Sequence, residues 1–544
     1  MKKTCKVLAL LLALAMLLSL AGCGQGTAPS GSASAPENGG AESSSGEEAL
    51  TEIPLPISEE KITLTYWWPQ ASDLAELTSP NDGEYVQALE EKTGIHIEWI
   101  VPADGSEKDA YNLLFASDDM PDIVQQSLSE KMVYRNGMDA AIEDGFFVDL
   151  NEYKNYAPNY FAFMEEHPDW NKNSLTDSGK RYGMYRVYDT PLVTESGLAV
   201  RQDFLDKLGM DRPVTYDDWY EMLKGFKSLG CSTPLYLMAN GATTQNEMSA
   251  GYGVAQSFYQ EDGVVKYGPI EEGWKEYLTM MNKWYSEGLF DQDFMARTGS
   301  STSVDTELLY NDNIGAFVTW TTRCDNNYVQ RGAQNPDFML VGVTPPVKNE
   351  GDVPHLRGDD LLTSYVCSFS ATSEHLKEAI MWQDYRYEYD NAQDAQYGLD
   401  DGRSFNYDES GKRILSYDFR YSNPEGVSSS AFFAKYAFKD PPRTFPEFQW
   451  DIFLPLQDES MKAWGSTPYD WNMPANITLT ADEGNTFATI TADITTYVDE
   501  CNVKFITGSM SLDEFDSFVE TIKGMGIDEA IAIQQAALDR YNAR

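Results

Sequence analysis

From Lys61 to Trp68 the chain reads Lys-Ile-Thr-Leu-Thr-Tyr-Trp-Trp, a β-like run that Pro69 ends. Asn81-Asp-Gly-Glu84 then has the form of a helix cap, with Tyr85, Ala88 and Leu89 as the apolar face and Gly94 as the stop. Ile95, Ile97, Trp99 and Val101 alternate with polar residues and predict a second strand. A further helix over about 107–116 leads through Met120-Pro121 into the short apolar strand Asp122-Ile-Val124. This β-α-β-α-β cadence predicts a parallel sheet covered by helices. Right-handed crossovers would then set Trp67, Trp68 and Ser127 along one edge, where such sheets bind ligands.

Further along, Gly179-Lys-Arg-Tyr-Gly-Met184 precedes Gly197-Leu-Ala-Val-Arg-Gln-Asp-Phe-Leu205, a strand running into a helix that Leu208-Gly209 closes. Thr215-Tyr-Asp-Asp218 caps the next helix, where Trp219, Met222, Leu223 and Phe226 recur at i, i+3, i+4 and i+7 and predict a core-facing side. Trp274 to Tyr285 and His375 to Tyr387 read as amphipathic helices. Between about Asn391 and Phe448 the helical period fades, which predicts an irregular, insertion-like region near the mouth of a cleft. The C-terminus returns to helices: Ser511-Leu-Asp-Glu514 forms a capping box, and Asp528 to Tyr541 the last helix.

The amino terminus has a different pattern. Lys2, Lys3 and Lys6 precede an apolar run from Val7 to Ala21 that is shorter than the roughly 20 residues of a spanning helix, so residues 1–22 read as a signal peptide. Leu20-Ala-Gly-Cys23 resembles a lipobox, in which Cys23 is lipidated and becomes the first mature residue, held at the outer face of the cytoplasmic membrane. Residues 23–50 are rich in Gly, Ser, Ala, Pro and Glu and read as a flexible tether. The remainder is long enough for two lobes with sizeable cores. Removing residues 1–22 takes away three lysines and no acids, leaving 37 basic against 86 acidic residues. That charge disfavours nucleic acid and anionic lipid surfaces as partners. Cys231, Cys324, Cys367 and Cys501 lie far apart with no C-x-x-C spacing. Buried free thiols are the preferred reading, with one or two disulfides as the alternative in an oxidising location.

Several of these stretches resemble the family 1 extracellular solute-binding proteins, the superfamily of maltose-binding protein, and within it the long LplA-type lipoproteins. They are Gly179-Lys-Arg-Tyr-Gly183, Val200 to Gly209 with Thr215 to Trp219, Ile314-Gly-Ala-Phe-Val-Thr-Trp320, and Phe505-Ile-Thr-Gly508 followed by Met525-Gly-Ile527 and Arg540-Tyr541. The resemblance implies an α/β fold of the two-lobed periplasmic-binding-protein type II, with a hinge and an interlobe cleft. It also implies a monomer that delivers a saccharide to the permease of an ABC transporter. It places chain crossings near 193–197 and 357–362 and a final return around 465–474. One lobe would then hold 55–195 and 362–465, the other 196–361 and 466–544. Many long relatives carry a calcium-binding-like loop after the helix matching Asp217 to Phe226. This chain has Ser228-Leu-Gly-Cys-Ser-Thr-Pro234 there, without a carboxylate, so the calcium is not carried over, and no metal or cofactor is assigned.

A sugar offers a flat C–H face and a rim of hydroxyls, so its site needs aromatic rings and planar polar groups. Trp320 matches the family position at which a ring stacks on sugar. Trp67 and Trp68 follow the first strand, and alternation sends them to opposite sides, so at most one faces the cleft. Trp471 stands at the expected final crossing. A lone acid in so acidic a chain is by default a solvated surface carboxylate, but position at a crossing marks Glu195, Asp359 and Asp360, and Ser127 follows the third strand. Arg201 is expected to pair with a neighbour such as Asp203 or Asp206 rather than reach the cleft. Two rival classes remain: a secreted glycan hydrolase, which needs two carboxylates about 5 to 10 Å apart, and a glycan-binding sensor or adhesin. With 86 acids, pairs of carboxylates carry no information, and the chain has neither H-E-x-x-H nor G-x-S-x-G, so no catalytic residue and no enzyme activity is expected.

Overall fold

A computed structural model describes residues 49–544 except 75–76, 118, 129–131, 136, 190–193, 240–245, 298, 301, 326–331, 357–364, 417–433 and 439–440. Cys23, Asp359, Asp360, the signal segment and nearly all of the tether lie outside the described residues. Residues from 46 onward form one compact unit. In chain order its first part runs β1 (Ile62–Trp67), α1 (Glu84–Thr93), β2 (Ile95–Ile100), α2 (Glu107–Leu114), β3 (Ile123–Ser127), α3 (Pro158–Glu166) and β4 (Met184–Tyr185). Next come β5 (Ser196–Arg201), α4 (Gln202–Leu208), α5 (Tyr216–Ser228), β6 (Thr233–Tyr236), α6 (Glu272–Ser286), β7 (Ile314–Trp320) and β8 (Leu340–Gly342). The last part holds β9 (Tyr365–Phe369), α7 (Leu376–Tyr385), α8 (Pro455–Gly465), α9 (Ala481–Thr507), α10 (Phe515–Gly524) and α11 (Ile527–Ala543).

Two sheets organise these elements. The first has the order β2-β1-β3-β9-β4. β1 is parallel to β2 from Ile62↔Ile95 to Trp67↔Ile100, and parallel to β3 at Trp67↔Val124. The β-α-β-α-β cadence therefore forms as expected, but β9 and β4 extend the sheet antiparallel, so it is mixed rather than parallel. Local pattern cannot foresee that addition, because β9 arrives more than 230 residues after β3. Ile62, Leu64 and Tyr66 bury one face of β1 against Ile95, Ile97 and Trp382. The expected cap at Asn81 is displaced: Ser79 caps a short turn over Pro80–Asp82, Gly83 opens α1, and Asn81 accepts instead from the Trp99 indole at 2.8 Å. Gly94 closes α1 in the left-handed region (φ 73°), as expected.

The second sheet has the order β8-β5-β7-β6. β7 runs antiparallel to β5 from Ala316↔Val200 to Trp320↔Ser196 and parallel to β6. Thr215 forms the expected capping box with Asp218, and Trp219, Met222, Leu223 and Phe226 of α5 are buried in the second core. That core also takes Trp274 and Trp284 of α6, Phe505 of α9 and Phe515 and Phe518 of α10.

The assignment of residues 455–465 to the first lobe is corrected by α8, which packs on β8 and β5 of the second sheet. Trp464 lies flat on that sheet, its Nε1 donating to Leu198 O at 2.8 Å. A Cβ on Gly197 or on Gly342 would come within 2.7 Å of the Trp464 ring, so both strands need glycine at the point of contact. The stretch from Asn391 to Phe448 is also more regular than its pattern suggests. It holds most of a helix over Tyr389–Tyr397 and a hairpin that pairs Phe405–Tyr407 with Arg413–Leu415.

Cys231, Cys324, Cys367 and Cys501 are free and buried, the preferred reading of the sequence. Burial pushes the thiols of Cys231, Cys324 and Cys367 up to about 12, which keeps them protonated.

One buried carboxyl joins distant parts of the first lobe. Asp384 of α7 is fully buried and caps α3: Oδ1 accepts from Tyr160 N at 2.7 Å, and Oδ2 from Asn159 N at 3.1 Å. Burial pushes this carboxyl up to about 7, against the opposing hydrogen bonds from Tyr160 and Asn159. The folded state then binds the proton more tightly than the unfolded chain, so stability falls as pH rises from about 4 to about 7. Thermal unfolding across that window is expected to show a declining melting temperature in the native protein and a flatter profile in Asp384→Asn. Equal slopes would contradict the assignment.

Candidate functional site

Strand β7 buries Ile314 through Thr319 and then releases Trp320, which is 46% exposed. The ring stands opposite Ser196, the first residue of β5, and Thr321 N donates to Glu195 O at 2.7 Å. The fold thus brings together two residues singled out from sequence, Trp320 and Glu195, where the chain enters the second sheet. Glu195 is half-buried.

The other expected residues fare differently. Trp67 and Trp68 do point to opposite sides, but both are buried, at 2% and 4% exposure. Trp67 packs with Tyr111, Val124 and Met132, while Trp68 meets Trp99 edge-on at 5.7 Å and also contacts Phe438. Neither offers a ring face for stacking, because each side of the sheet is covered. Ser127 is half-buried at the end of β3, paired in register with Tyr365. Trp471 is half-buried, stacked on His355 at 4.7 Å and 14°, with His355 Nδ1 held to Asp470 Oδ1 at 2.8 Å. Its ring is engaged by the second lobe rather than held open beside Trp320. Asp359 and Asp360 lie outside the described residues. Arg201 does what its neighbours predicted: it is buried and grips Asp203 through Nε at 2.7 Å and Nη2 at 2.8 Å.

A cavity of about 500 Å³ lies between the loop after β3 and the segment leading into α9. Tyr134, Tyr182, Tyr185 and Phe487 bring rings to it, and Asn476, Thr478 and Gln534 bring polar groups. Among the described residues of its lining, Arg135 is the one charged side chain, although the chain as a whole carries −46. Tyr185 donates to Tyr182 at 2.7 Å, and burial pushes the Tyr182 hydroxyl up to about 12, so both phenols stay neutral hydrogen-bonding groups. None of the described residues among those picked from sequence lines this cavity. A partial signal existed: Tyr182 lies in the Gly179–Gly183 stretch, and the segment 475–480 follows the expected final crossing.

The loop ahead of β4 is tied to the C-terminal helix at the rim of this cavity. Asp177 accepts from Arg540 Nε at 2.9 Å and from Arg544 Nε at 3.0 Å. Burial works against the Asp177 carboxylate, but hydrogen bonds from Thr478, Arg544 and Arg540 outweigh it and hold the carboxyl below its ordinary value. No group of three or more His, Cys, Asp or Glu side chains among the described residues is placed to hold a metal ion.

With this geometry in hand, comparison with known proteins gives consistent matches. A family model described as bacterial extracellular solute-binding protein matches residues 77–385. The fructooligosaccharide ABC transporter substrate-binding protein FusA of Streptococcus pneumoniae serotype 4 is 22% identical over 549 residues, 92% of this chain and 94% of FusA. Lipoprotein LipO of Bacillus subtilis is 27% identical over 230 residues, 40% of this chain and 43% of LipO, so that match spans less than half of LipO's length. Among solved structures, alginate-binding protein AlgQ2 without calcium ion superposes with a TM-score of 0.70 at 18% identity, covering 90% of this chain and 100% of AlgQ2. The two-lobed α/β type II fold expected from sequence is therefore the fold of this chain.

Trp67 and Trp320 differ in what their removal should do. Trp67→Ala empties a buried site and is expected to cost about 3–5 kcal/mol of stability. Trp320→Ala should stay within about 0.5 kcal/mol, as an exposed substitution does. Denaturant unfolding of both variants checks this, and a large loss in Trp320→Ala would place that ring in the core.

Proposed function

The chain belongs to the bacterial extracellular solute-binding protein family, and we propose that within it this protein captures an oligosaccharide between its lobes and hands it to an ABC importer. The observation that carries the reading is Trp320, an exposed ring released at the end of a buried strand, beside Glu195 at the crossing between lobes. An indole face stacks on the C–H face of a pyranose or furanose, and the neighbouring carboxylate accepts from sugar hydroxyls. The rings and amides of the interlobe cavity supply the same combination of surfaces. FusA and AlgQ2, whose names specify a fructooligosaccharide and alginate, support a saccharide as the solute class.

On this reading Cys23 carries the lipid, residues 24–50 form the leash, and the folded unit works at the outer face of the cytoplasmic membrane. Sugar binding favours the closed arrangement through its greater affinity for that state. The permease reads the closed surface. The sugar leaves unchanged, because the site binds it without activating a nucleophile.

A thermal-shift screen with neutral and acidic oligosaccharides, and short peptides as controls, is expected to show stabilisation by one sugar class only. Calorimetry with that sugar should then show affinity reduced by about 10- to 200-fold in Trp320→Ala, or roughly 1.5–3 kcal/mol. A peptide that stabilises where no sugar does would overturn the saccharide reading. Unchanged affinity in the variant would remove Trp320 from the site.

A further inference from the structure

At the rim of the interlobe cavity, four charges alternate in a line. The Glu483 carboxylate accepts from Arg540 Nη1 at 2.9 Å and Nη2 at 2.6 Å. Arg540 Nε reaches across to Asp177 Oδ2 at 2.9 Å, and Arg544 Nη2 donates to Asp177 Oδ1 at 2.6 Å. Asp177 belongs to the loop that leads into β4 of the first sheet. Glu483 opens α9, Arg540 lies in the last turn of α11 and Arg544 follows that helix. α9 packs on α6 in the second lobe and α11 packs on α9. The line therefore crosses from one lobe to the other with two positive and two negative charges.

The same side chains hold the cavity wall. Arg540 Nη2 donates to Thr478 O at 2.9 Å, Arg544 Nη2 to Thr478 Oγ1 at 3.1 Å, and Arg544 Nη1 to Leu175 O at 2.6 Å. Leu175 and Thr478 both line the cavity, on opposite lobes. Beside them Tyr541 donates to Asn173 Oδ1 at 2.6 Å, and Asn476 Nδ2 to Asn173 O at 3.0 Å. The Arg544 side chain is only 1% exposed. Pairs such as Lys224–Glu221 and Lys462–Asp458 lie within single helices and are open to solvent. This line instead spans two lobes and is only partly shielded from solvent, where charge-assisted bonds hold position and salt still reaches them.

We propose that Asp177 is a positioning residue for the interlobe cavity: by holding Arg540 and Arg544 it fixes the 475–480 wall against the first lobe and makes the gap between the lobes sensitive to charge. This rests on the reading that the solute lies between the lobes, but it can be tested with no sugar present. Neutralising Asp177 leaves Arg540 paired with Glu483 and takes from Arg544 the carboxylate it holds. The wall then loses its anchor on the first lobe while both sheets keep their own cores.

Hydrogen exchange of the full chain followed by mass spectrometry provides the test, with Asp177→Asn and Asp177→Glu compared with the native protein at low and high sodium chloride. In Asp177→Asn, amides of 173–179 and 475–484 are expected to exchange about tenfold faster, with β1 and β7 unchanged. Asp177→Glu should recover much of the protection. High salt should speed exchange of these two segments in the native protein and have little further effect in Asp177→Asn. Unchanged exchange in Asp177→Asn, faster exchange throughout the molecule, or equal salt sensitivity in both proteins would each overturn the proposal. Failure of any sugar to bind would instead bear on the saccharide reading and leave these exchange rates to be judged by themselves.

Discussion

The antiparallel register of β7 on β5 is the constraint on which the candidate site depends. With Ala316 opposite Val200, Trp320 falls opposite Ser196, one residue beyond Glu195. A slip of one residue would turn every β7 side chain to the other face, forcing Phe317 out of the layer it shares with Ile314 and Trp464 into the one filled by Ala316 and Val318, and moving Trp320 away from the crossing. Burial fixes the register: Ile314, Ala316, Phe317 and Val318 are all essentially inaccessible. Trp464 adds a clamp from α8, made possible by Gly197 and Gly342. The exposed ring is thus the end of a strand whose preceding six residues have no freedom to move it.

Charge is handled in a matching way. A chain of net charge −46 has few cations to spend, and several of them go to buried or bridging positions. Arg201 lies between the rings of Phe204 and Phe338, with its guanidinium carbon 4.0 and 3.9 Å from their centroids, while Asp203 and Asp312 take its N–H groups. It anchors the far end of β5, the strand whose first residue faces Trp320. Arg540 and Arg544 play the corresponding role between lobes. Removing one partner from such a set leaves a desolvated charge, which costs more than losing an exposed pair.

Much of this was legible in the chain. The first three strands and their helices declare themselves through period-two and period-3.6 patterns, and Thr215, Ser511, Gly94 and Gly209 mark helix ends that the fold uses. Trp320 was singled out through a family position, and the fold leaves its ring exposed. What failed was information held in tertiary partners. Alternation separated Trp67 from Trp68 but could not say that Tyr111 covers one side and Phe438 the other. Nothing in the local sequence of α8 names the sheet it meets. The long helix α9 was hidden by its threonines, which favour strands; in the fold Thr489, Thr491 and Thr496 turn their hydroxyls back to carbonyls four residues earlier. Tyr134, Tyr182, Asn476 and Phe487 come from separated stretches and meet only when the lobes do.

The central claim is capture of an intact oligosaccharide between two lobes. Native mass spectrometry of the purified protein, incubated with a mixture of oligosaccharides and then released by denaturation, tests it most directly. The account predicts a complex with one sugar per chain, and recovery of that sugar at its original length. Recovery of shortened or otherwise altered sugar, or a protein that emerges from the mixture with no sugar bound, would contradict it.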